Sequence, residues 1–442
     1  GSSSYTYNTL GQVIKKVTPD GGAFGFAYTV TGQLESDTSY DDVSKAIYRI
    51  CRYHYDDLDR PVLTEVKNDN DPNHNDWTAV IRGYYDNVDE LVVNASQYNI
   101  PQWLLSSFEN LNGRLVGSVA INKVNGRTYY VSDLFSYDDE GRIKCKIKIV
   151  PGIPYQITSF YYDLHGKVLS DTVRCGSKEI IKNYIYDAFG RLEKVVHANN
   201  SNKVLATYTY DDLGRLDMKT LAIGSGREIT YGYNIREWIT GIAPPDGTNY
   251  SNMFTEIIPG SQYLPNGSIG NAVYKYSYRG IMTDYDLNYL YDEVNRLTGV
   301  TSNSPKYAAN FTYDALGRFK TKTEGSNVKP GYKYYTGNSR LKNTGDNADK
   351  DYLYDKNGNL VVDKIKKMVI EYDWRDMPVA FRFYNSIPSA IDANDSGEYS
   401  ISSTEKDLYR YMASQGSGVT PLSQVVMLYD ASGNRVIKME GR

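Results

Sequence analysis

An all-β fold, a continuous antiparallel sheet built from repeated hairpins, is predicted by three observations. Tyrosine dominates the aromatics, with 43 Tyr against 11 Phe and 4 Trp, and aromatic rings favour pleated surfaces. A Tyr-x-Tyr pair followed by Asp and, four residues after the second ring, Gly recurs from one end of the chain to the other. Between Tyr137 and Tyr233 the second ring returns every 23–25 residues. That length holds two short strands, a tight turn and one longer connection, and leaves no room for a helix of usual length.

The unit is clearest from Tyr208 to Thr220. Tyr208 and Tyr210 are two apart, so in an extended chain both rings leave one face. Asp211 suits the first turn position, where its carboxylate accepts a backbone N–H, and Gly214 supplies the positive φ that closes the hairpin. Leu216 then resumes the alternation on the return strand.

With the second ring as marker, copies stand at Tyr7, Tyr55, Tyr85, Tyr137, Tyr162, Tyr186, Tyr210, Tyr233, Tyr291, Tyr313, Tyr335, Tyr354, Tyr372 and Tyr429, with a weaker one at Tyr28. The predicted turn residues include Asp187 and Gly190, Asp211 and Gly214, Asp314 and Gly317, Asp355 and Gly358, each pair following its repeat aromatic, Tyr186, Tyr210, Tyr313 or Tyr354. Where Gly is missing, Asp59, Asp89, Asn295 or Asp376 takes its place, residue types that tolerate a left-handed backbone. Phe108 to Val119 reads as another copy with one extra residue before Gly113. A lone hairpin is marginal in water, so each unit must pair with its neighbours.

Two stretches break the rhythm. Residues 241–276, with Pro244-Pro245-Asp246-Gly247 and Leu264-Pro265-Asn266-Gly267, read as an irregular insertion, and residues 386–423 read as a long mobile loop. Residues 1–4, Gly1-Ser2-Ser3-Ser4, look like a cloning remnant, and 5–442 is taken as one repeat architecture.

A formal charge of −4 with no long Lys/Arg run gives no nucleic-acid or anionic-membrane footprint. No apolar run approaches the roughly 18 residues of a membrane helix. Cys51, Cys145 and Cys175 have neither disulfide-framework nor metal spacing.

The repeated motif, quoted in Tyr186-Asp187-Ala188-Phe189-Gly190-Arg191-Leu192, in Tyr210 to Leu216 and in Tyr313 to Phe319, resembles the YD repeats of the RHS family. That family includes bacterial polymorphic toxins, the B and C components of insecticidal Tc toxins, and teneurins. About fifteen copies carry the resemblance across nearly the whole chain. Tyr233 to Ile239 and Tyr289 to Val300 are similar to the arrangement in Bacteroidetes-type members. The resemblance implies a sheet strip that spirals into a curved strip or partial hollow shell, which in toxin members encloses a C-terminal effector cleaved off by an aspartyl-type core segment. Asp71-Pro72 is isolated and no Asp-Pro-rich core segment is matched, so protease activity and cargo are not carried over.

Candidate chemistry gives way to structural roles. In the Tyr-Asp pairs, neighbours on a strand face opposite sides, which argues against a shared acid/base site. Arg142, Arg191, Arg215 and Arg318, which follow the turn Gly, are expected to stack on a ring or pair across strands rather than bind anions. Two loops partly follow a calcium-ligand rhythm. Asp69, Asp71, Asn73 and Asn75 lead to His74 and Val80 where Gly and Glu are required, and Asp392, Asn394, Ser396 and Gly397 lead to Ser403 where Glu is required. His54, His74, His165 and His197 are scattered, and Gly416-Ser417-Gly418 lacks the context of a hydrolase nucleophile. Trp77, Trp103, Trp238 and Trp374 are candidate sugar-stacking platforms, with core packing as the alternative.

These features predict a non-enzymatic structural module without catalytic, cofactor or metal residues. By resemblance it is part of a shell of a secreted or surface-exposed bacterial protein, whose partners are the remainder of its own chain and a toxin cargo. An extracellular adhesion or carbohydrate-binding module that contacts surface glycans is the alternative.

Overall fold

The computed structural model describes residues 2–441 apart from 41–46, 69–76, 200–202, 223–226, 245–253, 258–262, 279–280, 330, 346–348, 404–406 and 416–419. The loop with Asp69, Asp71 and Asn73, most of the Pro244 to Gly247 turn, and Gly416 to Gly418 lie outside the described residues.

Among the described residues, the strands from Ser4–Tyr7 to Asn327–Lys329 form one antiparallel sheet of 25 strands. Each strand pairs with those adjacent to it in the chain, as Lys203–Tyr210 does with Leu192–His197 and Leu216–Leu221. Such a meander has two distinct edges. One carries the Asp-to-Arg turns and the other carries the remaining connections; below they are the turn edge and the connection edge. At the turns the ladder slips by one residue, as between Thr209 and Tyr210, because the second residue of the return strand, Asp217 here, is extra.

A six-stranded antiparallel sheet follows, formed by Tyr352–Tyr354, Leu360–Asp363, Met368–Tyr372, Pro378–Phe383, Ser423–Tyr429 and Arg435–Gly441. It packs against the early strip: Val379, Ala380, Val426 and Leu428 share an apolar cluster with Ala120, Val124, Val131 and Val150. The other face of the strands around Leu115–Val124 is covered by helices α1 (Asp89–Asn94) and α2 (Gln102–Leu105), through Leu91, Leu104 and Leu105 against Val119, Leu134 and Ile147. Among the described residues, the strands between 156 and 329 have no such cover. In Lys203–Tyr210 only Ala206 is buried, and Arg227–Tyr233 is half-buried throughout.

Five expectations change. Tyr85 and Phe108 to Val119 belong to one repeat, since Tyr85 pairs with Leu115 and the Asp86 N–H donates to the Arg114 carbonyl. The helices are inserted into its turn, and Asp89 opens α1 instead of holding a left-handed turn. Tyr334, not Tyr335, is the ladder residue opposite Leu341; the turn there is one residue longer, and Tyr335 is buried behind it. The stretch 241–276 contains strand Phe254–Ile257 and a regular repeat turn, in which Leu264 N–H donates to Ser268 and Gly267 N–H to Leu264. Residues 386–423 hold a ladder of Ile391–Ala393 with Tyr399–Ile401 and helix α3 (Leu408–Ser414), anchored by buried Ile391, Ile401, Leu408 and Met412.

Candidate functional site

The repeated turn is a small hydrogen-bonded machine. Asp211 Oδ1 accepts from Leu213 N at 3.0 Å and Arg215 N at 2.8 Å, while Arg215 Nε donates to Asp211 Oδ2 at 2.7 Å. The backbone closes it, with Asp211 N donating to the Arg215 carbonyl and Gly214 N to the Asp211 carbonyl, each at 2.9 Å. Asp187 with Gly190, and Asp314 with Gly317, repeat this arrangement. Gly190, Gly214, Gly317 and Gly358 all have φ between 79° and 90°, and Asp59, Asn295 and Asp376 adopt the same left-handed region where Gly is absent. At Tyr7 an Asn–Gln pair substitutes, with Asn8 Nδ2 donating to Gln12 Oε1 at 2.7 Å.

A second set of contacts joins one hairpin to the next. The Tyr210 hydroxyl donates to the Leu192 carbonyl at 2.8 Å, Tyr186 to Val168 at 2.9 Å, Tyr313 to Leu297 at 2.6 Å and Tyr354 to Leu341 at 3.0 Å. The guanidinium that clasps one turn lies over the marker ring of the following repeat. Arg191 is 4.5 Å from the centre of Tyr210 and Arg296 is 4.7 Å from Tyr313. Each Arg thus ties its own turn to its neighbour. This explains Tyr rather than Phe: the ring packs and the hydroxyl satisfies a strand-end carbonyl. Within 241–276, Tyr263 continues the seam by donating to the Ile239 carbonyl at 2.6 Å.

The turn carboxylates feel opposing forces. Partial desolvation alone would raise Asp187, Asp211 and Asp314. The N–H groups and guanidinium of Arg191, Arg215 and Arg318 outweigh it and hold these carboxyls below their usual range. At Asp355 burial wins. That residue has Asn359 in place of Arg, the charge of Asp376 adds to the effect of burial, and its carboxyl is pushed up. Desolvation also pushes Tyr354 and Tyr372 up to about 12, so both stay donors at neutral pH.

Late repeats return onto the early strip. Ser339 N donates to Asp20 Oδ1, and Arg340 Nη2 donates to the Asp20 carbonyl at 2.7 Å. Asp376, at a turn tip, pairs with buried Arg49 at 3.1 Å. Lys148 bridges Asp133 at 3.0 Å and Asp430 at 2.9 Å. Asn122 exchanges two hydrogen bonds with the Tyr429 backbone, at 2.9 and 3.0 Å. Trp374, another turn tip, packs on Cys51, Val66 and Val80. This closing seam was not foreseen from the sequence, because its members occupy ordinary repeat positions hundreds of residues apart.

Other candidates find local partners. In the Asp392 loop, Asn394 Oδ1 accepts from Ser396 N and Glu398 N, each at 3.0 Å, so the calcium-like rhythm is that of another repeat-type turn. No group of three His, Cys, Asp or Glu side chains able to hold a metal occurs among the described residues. Cys51, Cys145 and Cys175 are free thiols, and His54 pairs with Glu65 at 3.0 Å. Arg52 covers Trp77, and Trp238 packs on Tyr263; Trp103 is 62% exposed. No described helix is long and apolar enough to cross a membrane, which says nothing of a β-barrel.

Residues 1–334 match the teneurin YD-shell family, and the chain belongs to it. Among solved structures, a TcdB2-TccC3-Cdc42 crystal structure is similar over 100% of this chain, with TM-score 0.59 and 13% identity. A TcdB2-TccC3-TEV crystal structure is similar over 99%, with TM-score 0.57 and 14% identity. The Photorhabdus luminescens Tc holotoxin pore carrying TccC3-D651A aligns over 100%, with TM-score 0.57 and 13% identity. This chain spans 20% of each of those chains. At such identity the likeness is one of fold. A search of curated protein sequences finds no match. The chain is a β-shell structural module.

Proposed function

We propose that this chain is a length of shell wall whose role is non-enzymatic containment, enclosing an effector joined to or assembled with it in a secreted or surface-exposed bacterial protein. The observation that carries the reading is the closing seam. A strip held hairpin to hairpin by Tyr and Arg comes back on itself through Asp20, Arg49, Asn122 and Lys148, which is what a wall around a volume requires. The toxin context of the similar structures supports it.

The test is protease protection of the full natural gene product. A C-terminal segment that resists protease while the shell is folded, and is digested once the shell is opened by acid or urea, is the expected result. A segment digested equally in both states overturns containment. Exposed Trp103, edge-on to Tyr155 with ring centres 6.3 Å apart, is the feature that would serve an adhesive role. Glycan binding lost on Trp103→Ala would favour that second reading.

A further inference from the structure

The closing seam encloses a chamber. A cavity of 590 Å³ lies where the first residues of strand Ile47–Tyr55, the hairpin tip at 123–126, the late turns at 355–357 and 373–376, and the start of α3 come together. A pocket of 360 Å³ shares Tyr48, Tyr399 and Asp407 with it. Lys123, Asn125 and Gly126 are exposed, so the chamber reaches solvent at the hairpin tip. Its size is that of a small-molecule site.

The wall is aromatic. Tyr372 and Tyr409 donate their hydroxyls to the Leu360 and Ile370 carbonyls, at 2.9 and 2.8 Å, which leaves their rings to the cavity. Trp374 and Tyr399 line it as well. Burial chiefly, and in addition the charge of Asp355, push up the hydroxyls of Tyr48, Tyr372, Tyr399 and Tyr409, which places all four around that carboxyl.

Three polar groups of the wall have hydrogen-bonding capacity to spare. Asp355 accepts from Asn359 N at 2.8 Å and from Asn359 Nδ2 at 2.9 Å, and it has no ion pair among the described residues. A carboxylate offers about four acceptor sites. Arg49, 8% exposed, gives both Nη atoms to Asp376 at 3.1 and 3.4 Å, and its Nε has no acceptor. The Tyr48 hydroxyl makes no hydrogen bond among the described residues. A cation would satisfy Asp355 but not Arg49, and an anion Arg49 but not Asp355. A hydroxyl group both donates and accepts, and a sugar ring adds a C–H face that packs on Tyr and Trp.

We propose that this chamber binds a small neutral saccharide, held by hydroxyl hydrogen bonds to Asp355, Tyr48 and Arg49 and by packing on Trp374 and Tyr399. Its walls come from the early strip, the late sheet and α3, so the bound sugar ties the seam shut. The site is separate from Trp103 and rests on the seam geometry, not on containment.

Titration of the chain with glucose, galactose, mannose, N-acetylglucosamine and cellobiose tests it, followed by calorimetry and melting temperature. At least one of these sugars is expected to bind and to raise the melting temperature. Asp355→Asn and Tyr48→Phe, which keep the shape of the wall, are each expected to weaken that affinity about three- to tenfold, with circular dichroism like that of the parent. No binding of any of the five sugars overturns the proposal. So does an affinity unchanged in both variants, or binding that Trp103→Ala abolishes, since that assigns the sugar to the exposed surface instead.

Discussion

The turns at Asp211–Arg215 and Asp355–Asn359 share a backbone but not a setting. In the first, part-exposed Asp211 meets an Arg that clasps it and stacks on Tyr233 at 4.7 Å, and its carboxyl is held low. In the second, Asp355 is buried beneath the early strip with an Asn as partner, and its carboxyl is pushed up. The first hairpin draws its stability from adjacent repeats. The second draws it from strands far away in sequence, at an electrostatic cost to itself. One motif therefore serves both as wall and as closure.

Substitutions separate the two regions. The largest effect is expected in the closure: Leu428→Ala removes a fully buried side chain in the cluster joining the two sheets and should cost about 3 kcal/mol in urea unfolding. Leu216→Ala, half-buried in the single-layer strip, should cost about 1 kcal/mol. Lys148→Ala leaves Asp133 and Asp430 facing each other across the seam, with an expected loss on the order of 2 kcal/mol; equal stability of variant and parent would remove the bridge from the account.

Acid should act on the strip first. The depressed carboxyls Asp187, Asp211, Asp292 and Asp314 contribute stability that is complete above the unfolded carboxylate value and is lost as pH falls through their lower folded values. Melting temperature should therefore drop steeply below about pH 4. Asp355 has the opposite sign: its contribution is present below the unfolded value and lost as pH rises through the raised one. Asp355→Asn should therefore raise the melting temperature at pH 7, whereas Asp211→Asn, which loses charge against Arg215, should lower it. The smallest effect is expected for Tyr210→Phe, which leaves the Leu192 carbonyl without its donor and should cost about 0.5–1 kcal/mol.

What could be read in the sequence follows the range of the forces. The Asp187, Asp211 and Asp314 turns were legible because Asp, Gly and Arg act within five residues of chain. The turn at Leu264–Ser268 hid because Leu264 replaces the Asp; its remaining signals were Tyr263 and Gly267 at the usual spacing. Tyr85 and Phe108 to Val119 looked like two repeats because each half of the split hairpin keeps its own local signal, and only the pairing of Tyr85 with Leu115 shows that they are one. The seam could not be read. Arg49 and Asp376 meet across 327 residues, and nothing in the short-range pattern of either distinguishes it from other charged residues on strands and turns.

The most direct measurement compares two glycines of equal conformation. Gly214 and Gly358 have φ of 82° and 90°. A Cβ at Gly214 would meet only the Arg191 guanidinium at 3.7 Å, whereas one at Gly358 would strike the Asp20 carbonyl. Gly214→Ala should therefore cost about 1 kcal/mol of backbone strain in urea unfolding, and Gly358→Ala clearly more, because the early strip must also move away. Equal losses at the two positions would contradict a seam in which late turns press on the early strip.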